Sequence, residues 1–272
     1  MKLALNGATT MKADLPTDIL AAQAAGFDYV EIWAEKLREF LEYNSASDLK
    51  ELFADAGLQP LSINSIEHIT FRDPQAYEAI KQECKQLCYI AAKIDCPYIV
   101  VVPGRLPQNG ATEDEIVSES VQVLTELCDI AAPYDVTLAF EFLGQVDCSV
   151  QTLGLADRIV QATGQDNLGL VLDSFHFYAG GSTVEMIEAL NPAVLKVFHI
   201  NDAEDRPRVE LRDSHRLLPG LGILPLPEIL GGFRRIGYDS VTSVEIFRPE
   251  YWEQDPFALA RAAHDATLKV LD

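Results

Sequence analysis

From Thr137 to Ile200 the chain reads TLAFEF (137–142), a helical pattern over Val150–Ala162, LGLVL (168–172), a second helical pattern over Ser182–Ala189, and LKVFHI (195–200). Short β-branched or aromatic runs that alternate with longer helical stretches mark strand–helix–strand units with parallel strands. The alternation continues in both directions. Upstream, strands are expected at Lys2–Asn6, Tyr29–Trp33, Pro60–Asn64 and Tyr98–Val102, and downstream at Ser243–Phe247. Further helices are expected at Pro16–Ala25, Ser47–Ala56, Pro74–Ile94, Glu113–Ala132, Pro227–Ile236 and Phe257–Leu271. Ala25-Gly26 and Ala56-Gly57 read as helix ends followed by a left-handed glycine, and Asp73-Pro74 as an N-cap with proline in the first turn.

Eight such units in 272 residues leave ~34 residues for each, the size of a repeat in an α/β fold of the (β/α)8 TIM-barrel type. An open doubly wound sheet would carry a glycine-rich phosphate turn after its first strand, and Asn6-Gly7-Ala8-Thr9-Thr10 is not one. No composition shift or low-complexity linker divides the chain, so residues 1–272 are expected to form a single barrel domain. The polar stretch Asn201–Gly222 then becomes a long loop after the seventh strand, at the end of the barrel where function resides.

Composition narrows the functional classes. Hydrophobic residues make up 48% and charged residues 23%, the balance of a folded globular chain. Acidic side chains number 42 against 21 basic, a net charge of −21 that repels phosphate backbones and anionic lipid, so neither a nucleic acid nor a membrane is an expected partner. The apolar run of MKLALNG is broken at Asn6 and Gly7, short of a secretory signal, and a cytoplasmic location is the expectation. The five cysteines, Cys84, Cys88, Cys96, Cys128 and Cys148, contain no CxxC pair and read as reduced, packed thiols.

Glu141, Asp173, His199 and Glu245 each fall at or near the end of an expected strand, at intervals of 32, 26 and 46 residues. These spacings are about one repeat each, the last lengthened by the Asn201–Gly222 loop. The four side chains therefore converge at the C-terminal mouth. A carboxylate within LAFEFLG or TSVEIF needs a cation nearby, a metal ion or the basic side chain of a salt bridge at the barrel lip. Three carboxylates and one imidazole suit a single divalent ion such as Mn²⁺, Co²⁺, Zn²⁺ or Mg²⁺. Taken singly, Asp173 reads as a helix cap and His199 as a core histidine; their convergence with the two glutamates is what makes them candidate ligands. His176, three residues after Asp173, is a candidate substrate contact, with a structural hydrogen bond as the alternative. So is Glu31, which under strict alternation shares a barrel face with Tyr29 and Trp33. Arg206, Arg208, Arg212 and Arg216 are candidates to grip a polyhydroxylated or anionic substrate, with pairing to the loop acids Asp202, Glu204, Asp205, Glu210 and Asp213 as the alternative.

LAFEFLG, GLVLDSFHFYAGGS, FHIND and SVEIFRPEYW resemble the xylose-isomerase-like TIM-barrel superfamily, and within it the inosose isomerases of bacterial inositol catabolism. LALNGATT, QPLSINSI and VLTELCDIAAPY extend the likeness over essentially the whole chain. The resemblance implies that Glu141, Asp173, His199 and Glu245 bind one divalent metal and that His176 contacts substrate. It further implies that Glu141 and Glu245 move the proton as the carbonyl of a small polyhydroxylated ketone shifts to the adjacent carbon through a cis-enediolate. Trp33 and His215 depart from that branch, which sets a basic residue and an acid at those places, and Trp33 joins the substrate-contact candidates. A ketose epimerase or a dehydratase would use the same cage, and a non-catalytic metal- or sugar-binding barrel stays open as a third class. The sequence fixes no oligomeric state.

Overall fold

The computed structural model describes residues 1–271. Eight parallel strands close into a barrel: β1 (Lys2–Asn6), β2 (Tyr29–Trp33), β3 (Gln59–Ile66), β4 (Tyr98–Val101), β5 (Thr137–Glu141), β6 (Leu168–Asp173), β7 (Leu195–Ile200) and β8 (Val241–Val244). Each pairs with its neighbours in chain order, and β1 meets β8 in register, Leu3 opposite Thr242 and Leu5 opposite Val244, which leaves the barrel without an edge. None of the described helices is long and apolar enough to cross a membrane.

Alternation along the strands builds two apolar regions and one polar one. Outward residues such as Ile32, Ile63, Leu138, Phe140, Leu170 and Phe198 pack with the surrounding helices. Inside, Ala4, Val100, Ala139, Val171, Val197 and Val241 form a separate apolar plug. Two residues further along the same inward face stand Asn6, Glu141, Asp173, His199 and Ser243, all buried. The strand ends thus raise a polar layer on an apolar floor.

The helix signals operate as read. Gly26 (φ 95°) and Gly57 (φ 66°) terminate their helices in the left-handed region, and Asp73 accepts the amides of Gln75 and Ala76 at the start of Pro74–Lys93. The last strand is corrected, because it runs Val241–Val244 rather than Ser243–Phe247. Val241 and Thr242 pair with Val197 and Phe198, so Glu245 lies just beyond the paired segment. Three short helices also lie outside the sequence expectation: Ala34–Leu41, Ser174–Ala179 and Pro249–Trp252, following β2, β6 and β8. The first two begin directly at a strand end, with no intervening turn residues to announce them.

One of these helices secures the loop after β1. Lys36, 4% exposed, donates from Nζ to the carbonyls of Gly7 (2.9 Å) and Thr10 (2.9 Å) and to Asp18 Oδ2 (2.6 Å), while Thr10 Oγ1 donates to Asp18 Oδ1 (2.6 Å). Burial pushes Asp18 up to about 7 despite the neighbouring ammonium. Lys36→Met strands that carboxylate and is expected to cost about 3–5 kcal/mol. Adding Asp18→Asn should recover much of the loss. Without Lys36 the proton on Asp18 is held to still higher pH, so the single variant keeps stability in acid and loses it as pH rises through that value. Urea titrations of both variants should therefore show a smaller deficit for Lys36→Met near about pH 5 than near about pH 8.

Candidate metal centre

Glu141 ends β5, Asp173 ends β6, His199 lies one residue before the end of β7, and Glu245 follows β8. One ligand atom from each lies within 4.8 Å of the others, and all four residues are buried. His199 Nδ1 stands 3.0 Å from Glu141 Oε1 and 3.4 Å from Glu245 Oε2. Asp173 serves two purposes at once. Its Oδ1 caps the helix Ser174–Ala179 by accepting the amides of Phe175 (2.6 Å) and His176 (3.1 Å), and its Oδ2 accepts from Asn201 Nδ2 (3.0 Å) and Arg216 Nη1 (2.6 Å). Glu245 Oε1 accepts from Asn6 Nδ2 (3.1 Å) and Asn64 Nδ2 (2.8 Å), and its Oε2 from Arg216 Nη1 (2.9 Å).

The charge in this layer is unbalanced. Glu31, Glu141, Asp173 and Glu245 place four carboxylates against one guanidinium, Arg216, and two imidazoles, His199 and His176, all nearly or wholly buried. Burial penalises every one of these charges. At Asp173 the adjoining Arg216 overcomes it and draws the group down to about 2. At Glu245 burial, reinforced by Glu141 and Asp173, prevails over His199 and Arg216 and holds the group up at about 8. At His199 burial opposes protonation, but Glu245, Glu31 and Glu141 together raise it well above the ordinary imidazole value. The cluster thus draws protons to offset its carboxylates. Three oxygen donors, one nitrogen donor and an excess of negative charge are the chemistry a divalent cation fits, displacing those protons as it binds.

Above the cluster opens a cavity of about 810 Å³, lined by Trp33, Glu141, His176, Arg216, Glu245 and Phe247 among others. Trp33 and Phe247 meet edge to face, with ring centroids 5.5 Å apart. Arg216 Nη2 lies 3.1 Å from His176 Nε2. A guanidinium only donates, so Nε2 accepts and a neutral His176 carries its proton on Nδ1. That Nδ1, like Arg216 Nε, is buried without a hydrogen-bond partner among the described residues. Two donors beside the cluster therefore have their hydrogen-bonding capacity unspent.

The structure brings together the four candidate ligands and lines the cavity with His176 and Trp33. It relocates two expected substrate contacts. Glu31 does not line the cavity; it is 0% exposed and hydrogen-bonded to the far side of the His199 ring. The inward face of β2 is correct, but Glu31 is two residues deeper than Trp33 and His199 covers it. Arg206 is exposed and donates to Glu204 (2.8 Å) outside the cavity, as the pairing alternative had it. From the same loop Arg212 and Arg216 line the cavity, and Arg216 is buried; the register that places Arg216 is local. Arg216 is carried by a two-residue antiparallel pairing in which Ala203 faces Arg216 and Asp202 faces Leu217, a register invisible in sequence. Asn6, Asn64 and Asn201 complete the site outside the sequence expectation, although an asparagine at or beside the end of an apolar strand is a readable sign.

The sequence profile of a family described as xylose isomerase-like TIM barrel matches residues 19–269. The inosose isomerases of Bacillus subtilis (strain 168) and Bacillus velezensis are each 38% identical to this chain over all of its length, covering 98% and 97% of their own. A 1.8 Å crystal structure of the IOLI protein with a binding zinc atom superposes with a TM-score of 0.96 at 38% identity, over 100% of this chain and 98% of that one.

Metal binding should accordingly strengthen with pH. Ligands must shed their protons, and with Glu245 held at about 8, competition against a chelator should give higher Zn²⁺ affinity near about pH 8.5 than near about pH 6.5. His199→Ala is expected to lower that affinity more than His176→Ala. Equal affinities in the two variants, measured by the same competition, would reverse their assignment.

Proposed function

The chain belongs to the xylose isomerase-like TIM-barrel family, and from that premise we propose that it is an isomerase moving the carbonyl of a keto-inositol (inosose) to the adjacent ring carbon, with one divalent metal held by Glu141, Asp173, His199 and Glu245. The observation that carries this reading is 38% identity to inosose isomerases over the whole chain. The buried four-residue cluster at the cavity floor supports the same reading.

The reaction removes a proton from carbon beside a C=O and returns one to the neighbouring carbon, and its barrier lies in the negative charge that develops on oxygen. A divalent ion in the cluster, Mn²⁺, Co²⁺, Zn²⁺ or Mg²⁺, supplies Lewis-acid stabilisation of that charge. Glu141 and Glu245 both line the cavity and reach it from separate strands, so one can abstract the proton while the other delivers its counterpart. His176 and Arg216 line the cavity side by side, and the fixed positive charge of Arg216 is suited to the oxygens of a polyhydroxylated ketone. Trp33 and Phe247 give the ring an apolar wall and limit the water that competes for those donors.

Proton NMR of an inosose in D₂O tests the reading directly. Isomerised ketone carrying solvent deuterium, formed with added Mn²⁺ or Co²⁺ and suppressed by EDTA, is expected. Inversion at a single carbon would make the protein an epimerase, and loss of water a dehydratase. Metal binding with no substrate exchange would make it a binding barrel. Glu141→Gln and Glu245→Gln, each assayed at saturating metal, should lower turnover by roughly 10²–10⁴. The variant lacking only the returning acid should still exchange substrate hydrogen with D₂O, whereas the variant lacking the base should do neither. Near-normal isomerisation in both would move proton transfer to His176.

A further inference from the structure

Glu31 is a carboxylate with no access to solvent, placed where it touches neither the cavity nor the ligand atoms of the cluster. Every hydrogen bond it makes is directed at one imidazole or at its own support. His199 Nε2 lies 2.9 Å from Glu31 Oε2 and 3.1 Å from Oε1, so both carboxylate oxygens face the same ring nitrogen. Ser62 Oγ, from β3, donates to Oε1 (2.7 Å), and Ser243 Oγ, from β8, donates to Oε2 (2.6 Å). The carboxylate is thus held from both sides by hydroxyls on two other strands.

A neutral imidazole carries one proton, and an ionised carboxylate can only accept. Both ring nitrogens face carboxylates, Nε2 facing Glu31 and Nδ1 facing Glu141 and Glu245; a cation held by Glu141 and Glu245 would take the Nδ1 lone pair, and the one proton of the neutral ring then belongs on Nε2, at Glu31. Burying a further negative charge beside three others is costly, and a neutral acceptor would suffice if the task were only to satisfy one N–H. Charge at this place does something more, because it makes the imidazole a stronger electron-pair donor.

We propose that Glu31 is a positioning residue for the metal centre, fixing His199 as the Nε2–H tautomer, aiming Nδ1 at the ion and strengthening it as a ligand, with Ser62 and Ser243 holding the carboxylate in place. This rests on the reading of His199 as a metal ligand. It assigns Glu31 no contact with substrate and no proton to carry.

The test uses the whole protein loaded with Zn²⁺. Long-range ¹H–¹⁵N spectra of the unmodified protein should show His199 protonated at Nε2 and metal-bound at Nδ1; a proton on Nδ1 would overturn the inference without any variant. Glu31→Gln preserves size and an accepting oxygen but removes the charge, and should weaken Zn²⁺ binding by about 10–100-fold in chelator competition. Its His199 signals should also move away from those of a carboxylate-bound imidazole, a change that loss of packing alone would not produce. Unchanged affinity with unchanged His199 signals in Glu31→Gln would overturn the role. His199→Ala separates the two levels of the argument. If His199→Ala binds Zn²⁺ as tightly as the unmodified protein, the metal-site reading itself fails. If His199→Ala loses the metal and Glu31→Gln does not, only the role of Glu31 fails.

Discussion

Four buried carboxylates share the upper part of the barrel with one guanidinium and two imidazoles, and this imbalance governs the surrounding structure. Like charges in a low-dielectric interior repel strongly, so buried carboxylate oxygens call for a donor or a cation. The chain meets much of that demand from all around the barrel. Asn6 from β1 and Asn64 from β3 support Glu245, Asn201 supports Asp173, and Ser62 and Ser243 support Glu31. Closure of the barrel makes this convergence possible, since no open sheet could bring β1, β3 and β8 to one carboxylate.

The same demand explains the construction of the long loop after β7. Its buried Asp202 accepts the amides of Ala203, Gly222 and Leu224, stapling the beginning of the loop to its end. Gly222 makes that staple possible, because a Cβ there would come within 2.1 Å of the Ala203 carbonyl oxygen. Between those points Arg216 is carried inward until Nη1 meets Asp173 and Glu245. A loop with few apolar anchors would otherwise be among the least stable parts of the molecule. Here charge neutralisation within the barrel is itself a force holding the loop down, and the loop in turn completes the cavity wall with Arg212, Asp213 and Arg216.

The barrel is legible in the sequence because each strand is an apolar run with clear punctuation and each repeat has similar length. The four candidate ligands are legible for a related reason: an acid closing an apolar strand is conspicuous, and four such strand ends repeat at barrel spacing. What sequence does not display is depth. Glu31 and Trp33 share one face of β2, yet one lies under His199 and the other in the cavity, and only the packing of β7 across the barrel decides between them. Nor does sequence display the local pairing that sends Arg216 inward and leaves Arg206 with Glu204. Both depend on contacts between segments distant in the chain, which periodicity cannot report.

Arg216 joins the two halves of the proposed chemistry. One guanidinium nitrogen binds two of the candidate metal ligands and the other binds His176 and Asp213 at the cavity wall. A change of charge at the cluster is therefore felt at the donors that would meet the substrate. Those donors are preorganised: His176 is fixed by its helix and by Arg216, and Arg216 by two carboxylates, before any ligand arrives. In the proposed reaction negative charge grows on substrate oxygens beside groups that need not reorient to receive it, which is the condition under which electrostatic stabilisation favours the transition state over the bound substrate. A site meant only to retain a polyol could face solvent and exchange hydrogen bonds freely. Holding a buried guanidinium in place with carboxylates is worthwhile where its positive charge would act on a developing oxyanion.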